Sequence, residues 1–264
     1  MTVERYPHLF QPLRLRGITL RNRIMQSAHA MAFNSPDGLT NNRDIYYHAA
    51  RAKGGIGLMV TGNRLIHPTS NTFCRGYPYG YREEMVERDT ALTEAVHGFG
   101  AHIFAQLNHF GVMGETHAMD DYRVLWSSSN IKSPVFGEMA KAMERSDMDE
   151  IVEGWVRSAE YSRLAGFDGV EVHLAHSYLL HQFMSPLSNH RDDDYGKQVG
   201  DPQGRRTDAL YLAVDDPDAL YVTVKASGTT IVAEPYDSPH GSRDFACRDP
   251  EGNLWYFGTY WPKA

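Results

Sequence analysis

Strand-length apolar runs alternate with segments of helical period through the first two hundred residues, and this alternation restricts the possible fold more than any other feature. The strand-like runs are residues 23–30, 56–62, 101–108 and a fourth that ends at His173. Strands joined in turn by helices form parallel βα units. We therefore expect an α/β fold built on a parallel sheet.

The segments between these runs carry helix signals. The sequence predicts a helix over residues 42–53 that Gly54 and Gly55 end, because glycine tolerates the left-handed conformation at a helix terminus. A later helix is predicted to begin at a capping box formed by Ser146 and Asp149. Its expected buried stripe is Val152, Trp155, Val156 and Ala159.

Three polar side chains follow the fourth strand-like run: His173, His176 and Tyr178. A strand that leads through a short turn into a helix places its last side chains at the carboxyl edge of a parallel sheet, where α/β enzymes gather catalytic groups. Two imidazoles and a phenol there can donate hydrogen bonds to one oxygen. The two histidines could also be a structural pair or two metal ligands, since a spacing of three puts them on one side of a helical turn, and by themselves they favour the structural pair.

Composition excludes several classes of function. The chain has 264 residues, 42% of them hydrophobic and 22% charged, and a formal charge of -7. This charge gives no basic field to attract nucleic acid or anionic lipid. No apolar run has the length of a signal peptide core or a membrane span. Only Cys74 and Cys247 are present, which suits a reducing cytoplasm.

Several separated motifs resemble the old yellow enzyme family of FMN-dependent NAD(P)H oxidoreductases, in the order of the family. They lie at residues 9–13, 20–24, 46–58, 106–109, 165–173 and 181–196. The resemblance covers residues 8 to 196. It implies a (β/α)₈ barrel, bound FMN, NAD(P)H as reductant and a small-molecule substrate.

The resemblance also implies roles for individual residues. The family transfers hydride from reduced flavin to an activated alkene, and His173 and His176 would stabilise the negative charge that grows on the carbonyl oxygen. Tyr178 would line the substrate pocket and could assist protonation. The residues implied at the flavin are Ser27, Ala28, His29, Gly62 and Gln106.

After residues 194–196 the expected continuation disappears, so that four of the eight βα units are present. The phosphate site of such barrels usually lies in the loops after the last two strands. A partial (β/α)₈ barrel of four βα units also has two unpaired edge strands, which favour pairing with another chain. We therefore expect a homo-oligomer, and FMN binding is the first property to test.

From about residue 205 the pattern changes to strand, helix and three strands. Segments at residues 214–220, 226–232, 239–244 and 248–260 resemble one βαβββ half of a vicinal-oxygen-chelate domain, the glyoxalase and bleomycin-resistance superfamily. We thus expect residues 1–196 as a half-barrel, 197–208 as a linker and 209–264 as an α+β βαβββ module.

Metal chemistry is not expected in this module. Tyr256 stands where the superfamily often has a terminal-strand glutamate, and Glu234 and His240 are explained by a turn. The leading hypothesis is an FMN-dependent oxidoreductase whose activity could be impaired or depend on assembly. The alternatives are a non-catalytic chimera that associates through the βαβββ module and, last, a metal-dependent lyase or dioxygenase.

Overall fold

A computed structural model describes residues 5–70, 76–118, 122–196, 209–238, 241–249 and 254–260. The chain divides into two compact units, Met1–Gly196 and Lys197–Ala264. The expected linker at 197–208 lies outside the described residues, as do Cys74 and His240.

The first unit contains nine strands and four α-helices within the described residues. The strands are β1 (Leu13–Leu15), β2 (Ile18–Leu20), β3 (Met25–Gln26), β4 (Leu58–Val60), β5 (Arg64–Leu65), β6 (His102–Asn108), β7 (Trp126–Ser127), β8 (Lys141–Ala142) and β9 (Gly169–Val172). The helices are α1 (Asn42–Lys53), α2 (Met85–His97), α3 (Arg145–Leu164) and α4 (Leu179–Met184). Short 3₁₀ helices span Gly111–Met113 and Thr116–Ala118.

The main sheet of this unit is parallel throughout. Strand β3 pairs with β4, β4 pairs with β6, and β6 pairs with both β5 and β9. Gln106 lies beside Glu171 in the register of β6 and β9. Parallel strands with intervening helices confirm the predicted partial barrel of βα units. Strands β1 and β2 form a separate antiparallel pair.

Helix α1 has the bounds that the sequence predicts. Its N-cap Asn41 accepts a hydrogen bond from the backbone N–H of Arg43, and Asp44 completes a capping box. Gly55 follows the helix with φ 104°, a backbone conformation that glycine adopts without steric cost. Capping and a glycine stop therefore fix both ends.

The core lies between the helices and one face of the sheet. From β6, Ile103 and Leu107 point to this side and are at most 1% exposed. They belong to one buried cluster with Leu92 and Val96 of α2 and Ile151 of α3. Burial of one such side chain stabilises the fold by about 1.5–3 kcal/mol. The opposite face carries the side chains that alternate with these, including Gln106.

Two of the four residues predicted to form the buried stripe of α3 are exposed, so that half of the prediction is wrong. Val152 and Val156 are 60% and 66% exposed, whereas Trp155 and Ala159 are partly buried against the core. The buried face of the helix instead combines Met148 and Ile151 with the small residues Gly154, Ser158 and Ser162. A Cβ at Gly154 would lie 2.7 Å from the carbonyl oxygen of Ile66. Close packing of the helix backbone therefore selects small side chains, which a hydrophobicity pattern does not reveal.

The cap of α3 also differs from the prediction. The helix begins one residue before Ser146, and its N-cap is Glu144, which shares a capping box with Asp147. Aspartate in the third position of the helix satisfies the backbone N–H of the N-cap as glutamate would. The expected helix is present, but its capping residues are shifted by two positions.

The second unit is the predicted βαβββ module. Its elements are β10 (Ala209–Ala213), α5 (Pro217–Ala226), β11 (Thr230–Asp237), β12 (Arg243–Arg248) and β13 (Leu254–Gly258). The sheet order is β10-β13-β12-β11, with β10 and β13 parallel and the other pairs antiparallel. Tyr221 of α5 packs with Phe245 and Cys247, so the helix covers one face of the sheet. Among the described residues of both units, no helix is long and apolar enough to cross a membrane.

Candidate functional site

His173, His176 and Tyr178 lie together just beyond the end of β9. The backbone N–H of His173 donates to the carbonyl oxygen of Leu107 at 3.0 Å, which continues the pairing with β6. The ring centroids are 5.0 Å apart between the two histidines, 4.9 Å from His173 to Tyr178 and 5.9 Å from His176 to Tyr178. The structure therefore brings the three predicted catalytic side chains into one cluster at the carboxyl edge of the sheet.

The hydrogen bonds of the cluster determine where each ring proton lies. The backbone N–H of Ala175 donates to Nδ1 of His173 at 3.2 Å, so Nε2 carries the proton of the neutral ring. This Nε2 lies 3.1 Å from Nδ1 of His176 and donates to it. The N–H of His176 is then on Nε2. Donation by both rings to one outside oxygen requires the ring of His176 to turn away from His173.

Burial keeps His173 neutral. His173 is only 8% exposed to solvent. Loss of water on burial, and to a lesser extent the electrostatic influence of His176, lower the pKa of His173 to about 4. At neutral pH the ring is therefore an uncharged imidazole that can donate from one nitrogen and accept at the other.

The turn that carries the cluster is strained. His176 and Ser177 both have φ 58°, in the left-handed region that residues with a Cβ rarely occupy. Each such residue costs on the order of 1 kcal/mol. Two contacts from α4 hold the turn: the backbone N–H of Ser177 donates to His181 at 2.9 Å, and Nε2 of Gln182 donates to the carbonyl oxygen of Ser177 at 2.5 Å.

Gln182 is also bonded to the long connection between β6 and β7. Its Nε2 donates to the carbonyl oxygen of Phe110 at 3.1 Å, and its Oε1 accepts from the backbone N–H of Val112 at 3.2 Å and from Ser127 at 3.0 Å. The side chain is buried, at 1% exposure. One amide therefore joins the histidine turn to two points of a loop that follows another strand.

Tyr178 lies between the histidines and a buried aromatic residue. Its ring centroid is 4.7 Å from that of Phe110, in an edge-to-face arrangement. Burial raises the pKa of the Tyr178 hydroxyl. The phenol therefore stays protonated at neutral pH and can act as a proton donor.

Gln106 occupies the position on β6 that faces β9, one layer below His173. Its Nε2 donates to Oε1 of Glu171 at 2.6 Å. Glu171 is two residues before His173, so both side chains lie on the same face of β9. Glu171 is not among the site residues predicted from the sequence, although the period of two along residues 169–173 places it beside the predicted site.

The remaining predicted flavin residues lie where β3 and β4 end. Ser27, Ala28 and His29 follow β3, and Nδ1 of His29 lies 3.3 Å from the carbonyl oxygen of Ser27. The ring of His29 also contacts the hydroxyl of Tyr47. A Cβ at Gly62 would lie 2.5 Å from the carbonyl oxygen of His29, so the chain's own backbone uses the space that this glycine leaves.

The polar side chains at the strand ends suit the polar edge of a flavin. Asn108, two residues after Gln106, is fully buried. Neither its amide oxygen nor its amide nitrogen has a hydrogen-bond partner among the described residues. Buried amides without partners are costly, and a polar ligand or ordered water can satisfy them. Gln106 and Asn108 therefore fit a ring that offers both N–H and carbonyl groups.

The second unit offers no comparable cluster among its described residues. Glu234 contacts the hydroxyl of Tyr221 and the ammonium of Lys225, which accounts for its carboxylate. Tyr256 lies beside Tyr211 in the register of β13 and β10. In the first unit, a group that could hold a metal ion is formed by Glu115, His117 and Glu138, whose ligand atoms lie within 4.8 Å of one another.

Comparison with known proteins identifies the first unit. The model of the NADH:flavin oxidoreductase / NADH oxidase family matches residues 8–210. The chain belongs to this family. The relationship predicted from the motifs is confirmed, and so is the pairing of a flavin with a nicotinamide cofactor as a property of the family.

Proteins similar to this member of the NADH:flavin oxidoreductase family include an oxidase and a reductase. The chain is 33% identical over 199 residues to an NADH oxidase of Thermoanaerobacter brockii, covering 72% of this chain and 29% of the relative. It is 35% identical over 207 residues to a 4,4'-dithiodibutanoate disulfide reductase of Rhodococcus erythropolis, covering 75% of this chain and 48% of the relative. The chain thus spans less than half the length of these two relatives.

Solved structures support the same assignment of fold. The old yellow enzyme homologue of Zymomonas mobilis superimposes with a TM-score of 0.68 at 27% identity, covering 73% of this chain and 56% of the homologue. Morphinone reductase in complex with tetrahydroNAD gives a TM-score of 0.67 at 26% identity, with coverage of 73% and 56%.

A second family model, that of the glyoxalase/bleomycin resistance protein/dioxygenase superfamily, matches residues 169–257. This confirms the predicted resemblance of the C-terminal part. The match begins earlier than the module itself, because it includes β9 and α4. Strand β9 pairs with β6 of the first unit, so the structure assigns residues 169–172 to the flavin oxidoreductase part.

Proposed function

We propose that the chain is an FMN-dependent NAD(P)H oxidoreductase that reduces activated alkenes, in the manner of an ene-reductase. The observation that carries the proposal is the cluster of His173, His176 and Tyr178, one layer above Gln106 on neighbouring parallel strands. Family membership supports the flavin and the nicotinamide cofactor. Bound FMN would supply hydride to the β-carbon of the substrate.

The two histidines would bind the carbonyl oxygen of the substrate. In the described geometry His176 presents its Nε2–H outward, since Nδ1 accepts from His173. A neutral His173 whose pKa is about 4 can also donate once the ring of His176 turns. Both N–H groups strengthen their hydrogen bonds as negative charge grows on the oxygen, and this selective stabilisation lowers the barrier.

Tyr178 would deliver the proton that completes the reaction. Burial raises the pKa of its hydroxyl, so the proton is present at neutral pH. The contact with Phe110 limits the motion of the ring, and the histidines lie on its other side. A restrained phenol beside the two histidines would then protonate the α-carbon of a substrate whose carbonyl oxygen they bind.

Gln106, Gly62 and residues 27–29 would hold the flavin ring at the strand ends. Gln106 provides a polar amide, and the unsatisfied amide of Asn108 offers a further donor and acceptor. The backbones of Gly62 and His29 lie close together, so both residues would contact the flavin ring from the same side. These residues fit the ring of the cofactor.

The proposal is tested first by binding. Purified protein is mixed with FMN and passed through gel filtration, and the visible spectrum of the protein peak is recorded. We expect bound flavin close to one per chain. A protein peak without flavin absorbance would overturn the proposal; association that is lost when residues 205–264 are deleted would then favour the non-catalytic chimera.

Activity is tested with NADPH or NADH and a cyclic enone. We expect His176→Ala to lower kcat/KM by about 10²–10³, since it removes one donor to the developing oxyanion. His190→Ala is the matched control, because His190 is an exposed histidine downstream of the cluster. Equal activities of the two variants would exclude the proposed role of His176.

A further inference from the structure

We propose that Glu171 is a positioning residue that fixes the amide of Gln106, so that the site presents a carbonyl acceptor and selects ligands with a ring N–H. The proposal rests on the proposed function, because it concerns the same cofactor site. The juxtaposition that carries it is the contact between Nε2 of Gln106 and Oε1 of Glu171 at 2.6 Å.

The chemistry of the pair determines the orientation of the amide. An ionised carboxylate only accepts hydrogen bonds, so the nitrogen of Gln106, not its oxygen, must face Glu171. A hydrogen bond to a charged acceptor is about twice as strong as a neutral one. The planar amide then directs Oε1 of Gln106 away from Glu171. A glutamine that could otherwise rotate by 180° is held in one orientation.

The surroundings keep Glu171 in place. It lies directly beside Gln106 in the register of two parallel strands, and it is half-buried. One layer below, the ring of Phe104 lies over Gly169, where a Cβ would come within 2.9 Å of the ring. One layer above lies His173, which is 8% exposed. Glu171 is therefore confined between two layers of side chains on the same face.

The consequence is selection for one kind of hydrogen-bonding group. The pyrimidine ring of a flavin carries an imide N–H between two carbonyl groups. A fixed Oε1 of Gln106 would accept a hydrogen bond from this imide N–H. A ligand that offered a carbonyl oxygen at the same place would be repelled, because two acceptors would then face each other without a proton between them. With Glu171 replaced by an amide, Gln106 can rotate and donate instead. Glu171 would thus act on the ligand only through Gln106.

The first test needs no flavin. The side-chain amide signals of Gln106 are followed by ¹⁵N NMR in the wild-type protein, in Glu171→Gln and in Glu153→Gln, a control that neutralises an exposed glutamate of α3. We expect Glu171→Gln alone to shift the Gln106 signals, while those of Gln182 stay unchanged. Unshifted Gln106 signals in Glu171→Gln would overturn the proposal.

The second test measures selection for the N–H. Dissociation constants of FMN and of N3-methyl-FMN are determined by flavin fluorescence. We expect the wild type and Glu153→Gln to bind FMN at least about tenfold more tightly than the methylated analogue, because methylation leaves Oε1 without a donor. In Glu171→Gln the preference should fall below about threefold, since the amide can rotate.

The outcomes separate the two proposals. A wild type that binds neither flavin refutes the proposed function, and the NMR result then decides alone on Glu171. If the wild type binds FMN more tightly than the methylated analogue and Glu171→Gln shows the same preference, only the role of Glu171 is refuted. Should Glu171→Gln fail to fold, Glu171→Asp provides the second variant: its shorter side chain loses the contact, and an unchanged preference would equally refute the role.

Discussion

The buried ion pair between Arg64 and Asp89 gives the strongest stability prediction. Their side chains are 3% and 5% exposed and in direct contact. Asp89 also accepts from the hydroxyl of Thr40 at 2.7 Å, and Arg64 lies over the ring of Phe167 at 4.9 Å. Burial raises the pKa of Asp89, although Arg64 beside it acts in the opposite direction. The environment is therefore poor in water, and each charge depends on the other.

Asp89→Ala would leave the guanidinium of Arg64 buried without its counter-charge. Removal of one partner of a buried pair costs about 3–5 kcal/mol. For a unit of this size, each kcal/mol lowers Tm by about 2–4 °C, so the expected decrease is about 6–20 °C. Replacing both partners, as in Arg64→Met with Asp89→Leu, should restore most of the loss, because well-packed apolar residues can replace a buried pair without net cost.

Urea denaturation followed by amide hydrogen exchange and peptide mass spectrometry measures this loss in the first unit separately from the second. The control is Glu84→Ala, which breaks the exposed ion pair between Arg82 and Glu84 and should change stability little. A loss below about 1 kcal/mol for Asp89→Ala would contradict the reasoning, since it would mean that Arg64 reaches water or another anion.

Three further outcomes are expected. Burial tends to raise the pKa of Asp168, but hydrogen bonds from a backbone N–H and two histidines outweigh it and lower that pKa. The stabilisation that Asp168 contributes is therefore present above its unfolded pKa of about 3.9 and is lost as pH falls below that value. Urea titrations at several pH values should show that Asp168→Asn removes this acid dependence of stability. Gly258→Ala would place a Cβ 1.7 Å from the carboxylate of Asp244, and calorimetry should show the second unit destabilised by about 1–3 kcal/mol. Gly154→Ala, whose Cβ would lie 2.7 Å from the carbonyl oxygen of Ile66, should lower the Tm of the first unit in the same experiment.

Local signals in the sequence determined much of the fold. Both ends of α1 follow from Asn41, Asp44 and the two glycines after it, because each of these acts within a few residues. The stripe of α3 could not be predicted in the same way. Its contact face depends on the approach of Ile66 from a distant segment to Gly154, and polarity alone does not report such a distance.

In the candidate site too, features that depend on neighbouring residues of the chain could be predicted, whereas those that depend on distant contacts could not. His173, His176 and Tyr178 could be brought together from the sequence, since they follow one strand and need only the turn after it. The positions of the N–H protons on the two imidazole rings could not be predicted from the sequence. They depend on the left-handed backbone at His176 and on the backbone N–H of Ala175. The alternation of side chains along β9 predicts that Glu171 lies on the same face as His173. Its contact with Gln106 on the neighbouring strand could be seen only in the structure.

The bonds of Gln182 have a consequence for engineering. Because the same amide binds the backbone of Ser177, Phe110 and Val112, the long connection after β6 is part of the support of the histidine turn. Exchange of that connection for one from a relative would therefore also displace the turn that carries His173 and His176, the residues proposed to bind the substrate. Successful grafts should therefore keep the backbone path at residues 110–112 and vary only the segment beyond it.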